Sequence, residues 1–455
     1  MLFFVRRMPL FHHSNLPEAP VREEILKKSK ERLPYMIEIR RSLHKYPETG
    51  WLEFRTASIA AKRMKELGYT LTMGEKAVSK KDMMGLPSPE EIKRNEERAV
   101  KEGADPELVK IMSGGLTGFW ADLECGGGPG PKMALRFDMD ALEIVENQTD
   151  KHKPVKEGFV SEHHGWMHAC GHDSHVAMGL VVAEILAGMK DKLKGSIRII
   201  FEPGEEGSRG SRAMVAAGCC KDVDIILGMH IGADATEPGW ITCGAQKFLA
   251  SDKYDVYFKG LAAHSGMRPE NGHNAVLAAC AATTNMHAIS RHSGGATRIT
   301  VGKITGGQGR NVIPPEATLI METRGETTEL NEYMAKEAQR IIKAAAEMWD
   351  CSVDITVQGS APSGKSSQEM VDKVMEIARS LPEFKRIDGI INFSGTEDFS
   401  RMMTEVQNNG GIGTYIQVGT TLAAGNHNEF FDIDEKDMVE GVRMASLIAL
   451  EYLGK

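Results

Sequence analysis

The sequence predicts an α/β protein: a mostly parallel sheet covered by helices, with a smaller α+β domain inserted into it. Three observations carry that expectation. From residue 118 onward, apolar strand-like runs alternate with helical stretches. The block 250–362 then follows a different order of elements, and sheet-and-helix material returns after it. The chain therefore divides into 1–249 and 363–455, which share one domain, and the insertion 250–362.

Residues 25–68 read as one or two amphipathic helices around LHKYPETG, whose Pro and Gly mark a turn. Residues 75–115 are highly charged, and their Ser-Pro-Glu-Glu run is a helix start, so they read as a helical surface insertion. KMALRFDMDAL, SIRIIFEP and DIILGMHI read as strands, with VAMGLVVAEILAGMK as the helix between the first two. Ligands of parallel sheets gather beyond the carboxyl ends of the strands. Asp138, Asp140, Glu205, Glu206 and His230 all end such apolar runs. In the insertion, KYDVYFKG is a strand, NAVLAACAATTNMHAIS a helix, and TRITVGKI and ATLIMETR two strands around GGQGRNVIPP. ELNEYMAKEAQRIIKAAAEMW and VDITVQG complete the strand–helix–strand–strand–helix–strand order of a ferredoxin-like domain. A C-terminal helix is expected from near Asp434 through VRMASLIALEYL.

The 455 residues carry a net charge of −8, which argues against nucleic acid or an anionic membrane as a main partner. No run of about 18 apolar residues exists to span a bilayer. The start, MLFFVRRMPLFHHSN, has too short an apolar run for a signal-peptide core. Seven cysteines without a framework suit reduced thiols in a cytoplasm.

The chemistry concentrates in MHACGHDSH (167–175). Cys170 and His172 lie there, FEPGEEGSRG supplies Glu205 and Glu206, GMHIG supplies His230, and AAGNHNEFF supplies His427. Cys170, His172, Glu206, His230 and His427 would make five mixed sulfur, nitrogen and oxygen ligands. Four suffice for one tetrahedral zinc; five with waters suit two divalent ions, Zn²⁺ or Mn²⁺ in preference to Mg²⁺ or Ca²⁺. Of two adjacent glutamates, one can bind metal while the other faces the attacking water as a base; alone, the pair would equally suit a solvated loop. His168, Asp173 and His175 are expected to orient the ligands. Cys219 and Cys220 read as packing thiols. GGGPGPK lacks the spacing of a P-loop, and GGQGRNVIP sits in a hairpin and opens no helix, so neither is a phosphate site.

LRFDMDAL, MHACGHDSH, FEPGEEGSRGSRAM, GMHIG, AAHSGMRPENGHNA, GRNVIP and GTEDFS occur in the order seen in the peptidase M20 family, which the chain resembles. The Cys-Gly-His-Asp form is similar to the D branch of that family, with its aminoacylase-like, hippurate-cleaving and auxin-conjugate amidohydrolases. The likeness covers nearly everything after about residue 35. It implies a di-metal catalytic domain (1–249 and 363–455) and a lid and dimerisation domain (250–362). It implies Cys170, His172, Glu206, His230 and His427 as ligands, Glu205 as general acid/base, and His264 as the oxyanion stabiliser supplied by a partner subunit. The implied reaction is hydrolysis of p-aminobenzoyl-glutamate to p-aminobenzoate and glutamate, by a homodimer or with a companion B-type subunit. For a substrate with two carboxylates, Arg310, Asn311 and Arg324 are the expected clamps. The alternatives are a broader N-acyl-amino-acid amidohydrolase and a catalytically silent partner subunit; a full ligand set with both glutamates argues against silence.

Overall fold

A computed structural model describes residues 19–454, so the first residues read above lie outside it. The chain forms two compact units. The first takes the chain up to Gln246, then Lys365–Phe393 and Phe399 onward; the second is Lys247–Gly364 with Ser394–Asp398.

The first unit is built on an eight-stranded sheet. Its order is Thr70–Thr72, Phe119–Glu124, Ser196–Glu202, Lys132–Asp138, Ile225–Ile231, Ile412–Val418, Trp240–Gln246 and Arg386–Asn392. The pairings from Ser196–Glu202 through Ile412–Val418 are all parallel, as is that of Arg386–Asn392 with Trp240–Gln246. Antiparallel strands flank this centre. The central strands are buried along their whole length, which is why they read as continuous apolar runs. Helix His172–Gly188 is buried on nearly every side, enclosed by helices Leu33–Lys45 and Met438–Leu453 and by the sheet. Helices Gly210–Ala217 and Phe399–Asn408 form a separate pair against the strands.

One N-terminal expectation needs correction. The region read as one or two helices forms three, Ala19–Glu31, Leu33–Lys45 and Phe54–Glu66. Pro34 opens the second, where its missing N–H costs nothing. The charged 75–115 segment is helical as expected, and one side of it packs inward. Its helix Pro89–Lys101, capped by Ser88 on the Glu91 N–H at 3.2 Å, buries Ile92, Asn95 and Ala99 and packs on helix Phe54–Glu66.

The second unit carries a four-stranded antiparallel sheet in the order Ser352–Ala361, Ala250–Lys259, Glu316–Gly325, Thr297–Gly306. Helices Ala275–His287 and Thr328–Met348 cover one face, capped by Asn274 and Thr327. Tyr254, Val256, Phe258, Leu319 and Met321 alternate into that core. At the tip, Ala263–His264 pairs with Val312–Ile313, so the GRNVIP segment folds back beside His264. None of the described helices is long and apolar enough to cross a membrane.

Candidate metal centre

The carboxyl ends of the parallel strands meet at one edge of the first unit. Lys132–Asp138 leads to Asp140, Ser196–Glu202 to Glu205 and Glu206, and Ile225–Ile231 contains His230; His427 follows Ile412–Val418 in a loop. Helix His172–Gly188 starts on its own ligand candidate. Gly171 before it sits at φ 97°, a left-handed backbone that lets Cys170 and His172 turn into the same space. Gly204, at φ 60°, lies so close to Gly50 that a Cβ on Gly50 would meet its Cα at 2.9 Å. That approach holds the PETG turn against the loop of the glutamate pair.

Overlapping groups within metal-binding reach include Cys170, His172 and His230; Cys170, Glu206 and His427; His172, Glu205 and Glu206; and Asp138, His172 and His175. Cys170 Sγ is 3.3 Å from His230 Nε2, and His427 Nε2 is 3.3 Å from Glu206 Oε2. The ring protons are fixed by neighbours. His172 Nδ1 donates to the Asp140 carbonyl at 2.9 Å and His230 Nδ1 to the Ile231 carbonyl at 2.7 Å, leaving both Nε2 lone pairs for a cation. Among the described residues Glu206 Oε1 is buried without a hydrogen-bond partner, as expected of an oxygen that bonds a cation. The donor set of thiolate, imidazoles and carboxylate fits Zn²⁺ or Mn²⁺.

The side-chain charges agree with that fit. Burial, with His175 beside it, pushes His230 well below the ordinary histidine value, so its imidazole is neutral. Burial opposes charge on His172, but Asp138, Asp140 and Cys170 override it and raise its pKa well above normal. Hydrogen bonds to Cys170 and Glu206 push His427 up to about 10. A cation held here would displace the protons of His172 and His427. His427 also sits at φ 64°, a conformation costing a residue with a Cβ about 1–2 kcal/mol.

The surrounding bonds reveal residues that sequence reasoning left without a role. Asp140 accepts the backbone N–H groups of Glu205 at 3.1 Å and Glu206 at 3.0 Å, while its carbonyl holds His172. One residue thus fixes a ligand and the glutamate pair together. Buried Glu53 accepts the Gly204 N–H at 2.8 Å and the Thr117 hydroxyl at 2.6 Å beneath the same loop. Arg40, with no exposure, reaches Asp173 at 3.1 Å, Asp432 and Glu435. It ties the residue after His172 to the segment after His427. One helical turn on, His44 donates to Asp173 at 2.9 Å and to Glu146 at 2.8 Å. Burial resists charge on His44, yet the two carboxylates push its pKa up to about 9. The only available signal for this clamp was the i, i+4 spacing of Arg40 and His44 on one helix.

His175 and Asp173 bond to residues beside the ligand candidates, Asp173 to Arg40 and His44 and His175 to Asp138 and Ile231. His175 accepts the Ile231 N–H at 2.9 Å and donates to Asp138, so neither nitrogen is left for a metal. His168 makes no orienting bond to a ligand candidate: both its nitrogens are buried without a hydrogen-bond partner among the described residues, and burial pushes its pKa down to about 4. Cys219 and Cys220 are buried free thiols.

The remaining site candidates belong to the second unit. His264 is exposed, and its Nδ1 accepts the N–H groups of Gly266 and Met267, each at 3.1 Å. Val312 lies across from it, and the Asn311 carbonyl accepts the Ser265 N–H at 3.1 Å. Arg310 and Asn311 are exposed, whereas Arg324 is held by Glu322 through two bonds of 2.8 and 3.1 Å.

The sequence profile described as peptidase family M20/M25/M40 matches residues 134–451. The chain is 45% identical to an indole-3-acetyl-aspartic acid hydrolase of Enterobacter agglomerans, over 92% of this chain and 96% of that one. It is 42% identical, over the same shares, to the A-type subunit of p-aminobenzoyl-glutamate hydrolase from Escherichia coli K12. A solved aminobenzoyl-glutamate utilization protein from Klebsiella pneumoniae superposes with a TM-score of 0.81 at 37% identity, covering 94% of this chain and 98% of its own.

Proposed function

The chain belongs to peptidase family M20/M25/M40 and is a metal-dependent hydrolase of amide bonds; from that premise we propose that it cleaves p-aminobenzoyl-glutamate to p-aminobenzoate and glutamate, using two Mn²⁺ or Zn²⁺ ions. The observation that carries this reading is the position of the glutamate pair. Glu205 and Glu206 share a group with His172, and Glu206 shares a second with Cys170 and His427. Cys170, His172, Glu206, His230 and His427 hold the ions.

When bound, the ions polarise the amide carbonyl and acidify the attacking water. Glu205 takes the water proton as the oxygen bonds to the carbonyl carbon. It then returns the proton to the glutamate nitrogen as the carbon–nitrogen bond breaks. His264 donates to the oxyanion from the partner subunit of a homodimer paired through the second unit. Because its Nδ1 accepts backbone N–H groups, its proton resides on Nε2, and that N–H is the donor it can offer. Arg310, Asn311 and Arg324 receive the substrate carboxylates. A companion B-type subunit is consistent with a relative named as one subunit of its hydrolase. Seven free cysteines suit a reducing, cytoplasmic setting.

A second reading, an indoleacetyl-aspartate hydrolase, is favoured by the 45% identity to a relative of that name. Both readings share an aromatic acyl group on an acidic amino acid. Purified protein loaded with Mn²⁺ or Zn²⁺ and assayed against aromatic acyl conjugates of glutamate, aspartate and glycine separates them. The first reading expects the highest kcat/KM on p-aminobenzoyl-glutamate, and turnover of none of the conjugates would overturn both. Mixing His264→Ala with Glu205→Ala protein tests the shared site, since exchange restores one site with both residues intact. Recovery of activity is expected; no recovery with exchange confirmed by mass would remove His264 from that role.

A further inference from the structure

The open face of the second unit's sheet carries a pair of cations that the proposed reaction leaves partly unexplained. Along Glu316–Gly325, Ala317, Leu319, Met321 and Thr323 are buried, which sets Glu322 and Arg324 on the opposite face. Arg298 lies directly across from Arg324, and Thr300 across from Glu322, in antiparallel register. Facing residues of such a pair point to the same side, and like charges placed there repel. Glu322 takes one edge of the Arg324 guanidinium through its Nε and Nη2. Arg298 is exposed and has no hydrogen bond or ion pair among the described residues. Both arginines line a cavity of about 230 Å³, together with Thr300, Glu322, Leu249 and Ser394. Two guanidinium edges, one uncompensated charge and two hydroxyls surround a space with room for a single small anionic group.

We propose that this cavity is a carboxylate subsite in which Arg298 and the free edge of Arg324 take the side-chain carboxylate of an acidic amino-acid moiety. Arg298 then sets the preference for glutamyl and aspartyl conjugates over neutral ones. The assignment rests on the amidohydrolase reading above, whereas the anion chemistry of the cavity does not. A free inorganic anion would meet the same groups, so the test separates the two sources.

Metal-loaded wild type, Arg298→Gln and Arg298→Lys, each shown folded by circular dichroism, are assayed on one aromatic acyl group joined to glutamate or to glycine. The kcat/KM ratio of glutamate over glycine conjugate is expected to fall about 10- to 100-fold in Arg298→Gln, the worth of a charge-assisted hydrogen bond. The change should lie mainly in KM and recover in part in Arg298→Lys. An unchanged ratio in active protein overturns the subsite and leaves the amidohydrolase reading standing. Calorimetric titration with glutamate, glycine and inorganic phosphate judges the cavity even if no conjugate is cleaved. Glutamate binding that weakens in Arg298→Gln supports the subsite, and equal binding overturns it. Phosphate binding tighter than glutamate binding and lost with Arg298 would make the cavity a free-anion site and overturn the substrate assignment.

Discussion

Replacing Arg40 with methionine removes a cation that touches no proposed metal ligand, yet metal affinity is expected to fall. The guanidinium is fully buried and spans Asp173, Asp432 and Glu435. Removing one partner of a buried ion pair costs about 3–5 kcal/mol, because the remaining charge is left uncompensated. Here three carboxylates lose a shared cation, so the loss should reach at least the upper part of that range unless protons replace it. The mechanical consequence is local. Asp173 follows His172, and Asp432 lies just beyond His427, so the two ligand-bearing segments lose their tie. Substitutions at such supporting positions typically weaken metal binding by about 10- to 100-fold. Arg40→Lys should fall between, since a single ammonium cannot span three acceptors in the geometry of a planar fork. Zn²⁺ affinity measured by competition with a chelating dye, on variants shown folded by circular dichroism, reads the effect. A folded Arg40→Met protein with wild-type metal affinity would refute the clamp.

Three further outcomes follow from the same geometry. Asp140→Asn replaces one acceptor of the Glu205 and Glu206 N–H groups with a donor, so kcat should drop about 10-fold or more, with the helical content of the wild type retained; a wild-type kcat would show that those bonds do not place the base. His44, raised to about 9 from an ordinary value of about 6.5, stabilises the fold fully below the latter value, and that contribution is lost as pH rises through 9. Urea unfolding at pH 6 and pH 9.5 should therefore show wild type losing on the order of 3 kcal/mol more than His44→Gln, and equal losses would mean that His44 is uncharged when folded. Arg324→Ala should raise KM for an acyl-glutamate more than for the matching acyl amide without carboxylates, whereas equal changes would mean that the pair with Glu322 serves only the sheet.

The parallel strands were legible because each is buried on both faces and so forms an unbroken apolar run, as in Ile225–Ile231. The insertion was legible from its order of elements, although the short piece Ser394–Asp398 that belongs with it carries no such signal. Strands without strong apolar runs escaped notice. Thr70–Thr72 has three residues at a sheet edge, and Trp240–Gln246 contains Cys, Gly and Ala where branched residues would mark a strand. The ligand candidates stood out by residue type, since Cys and His in so dense a run need a reason. Asp140, Glu53 and Arg40 did not, because their importance lies in contacts made across the fold. Arg40 and Asp432 are separated by 392 positions, and nothing local to either announces the other. The break at Pro34 was readable in principle from its missing N–H, but helical periodicity continues on both sides of it.

The central claim is that Glu205 moves the proton while its neighbour holds metal. Glu205→Gln keeps the shape of the side chain and removes its basicity. Metal content by elemental analysis, paired with kcat on p-aminobenzoyl-glutamate in the same preparation, tests the claim in one measurement. The account predicts two ions per chain, as in wild type, and a kcat lowered by about 10²- to 10⁴-fold. Loss of metal from Glu205→Gln with full retention in Glu206→Gln, or a Glu205→Gln protein that turns over at the wild-type rate, would contradict it.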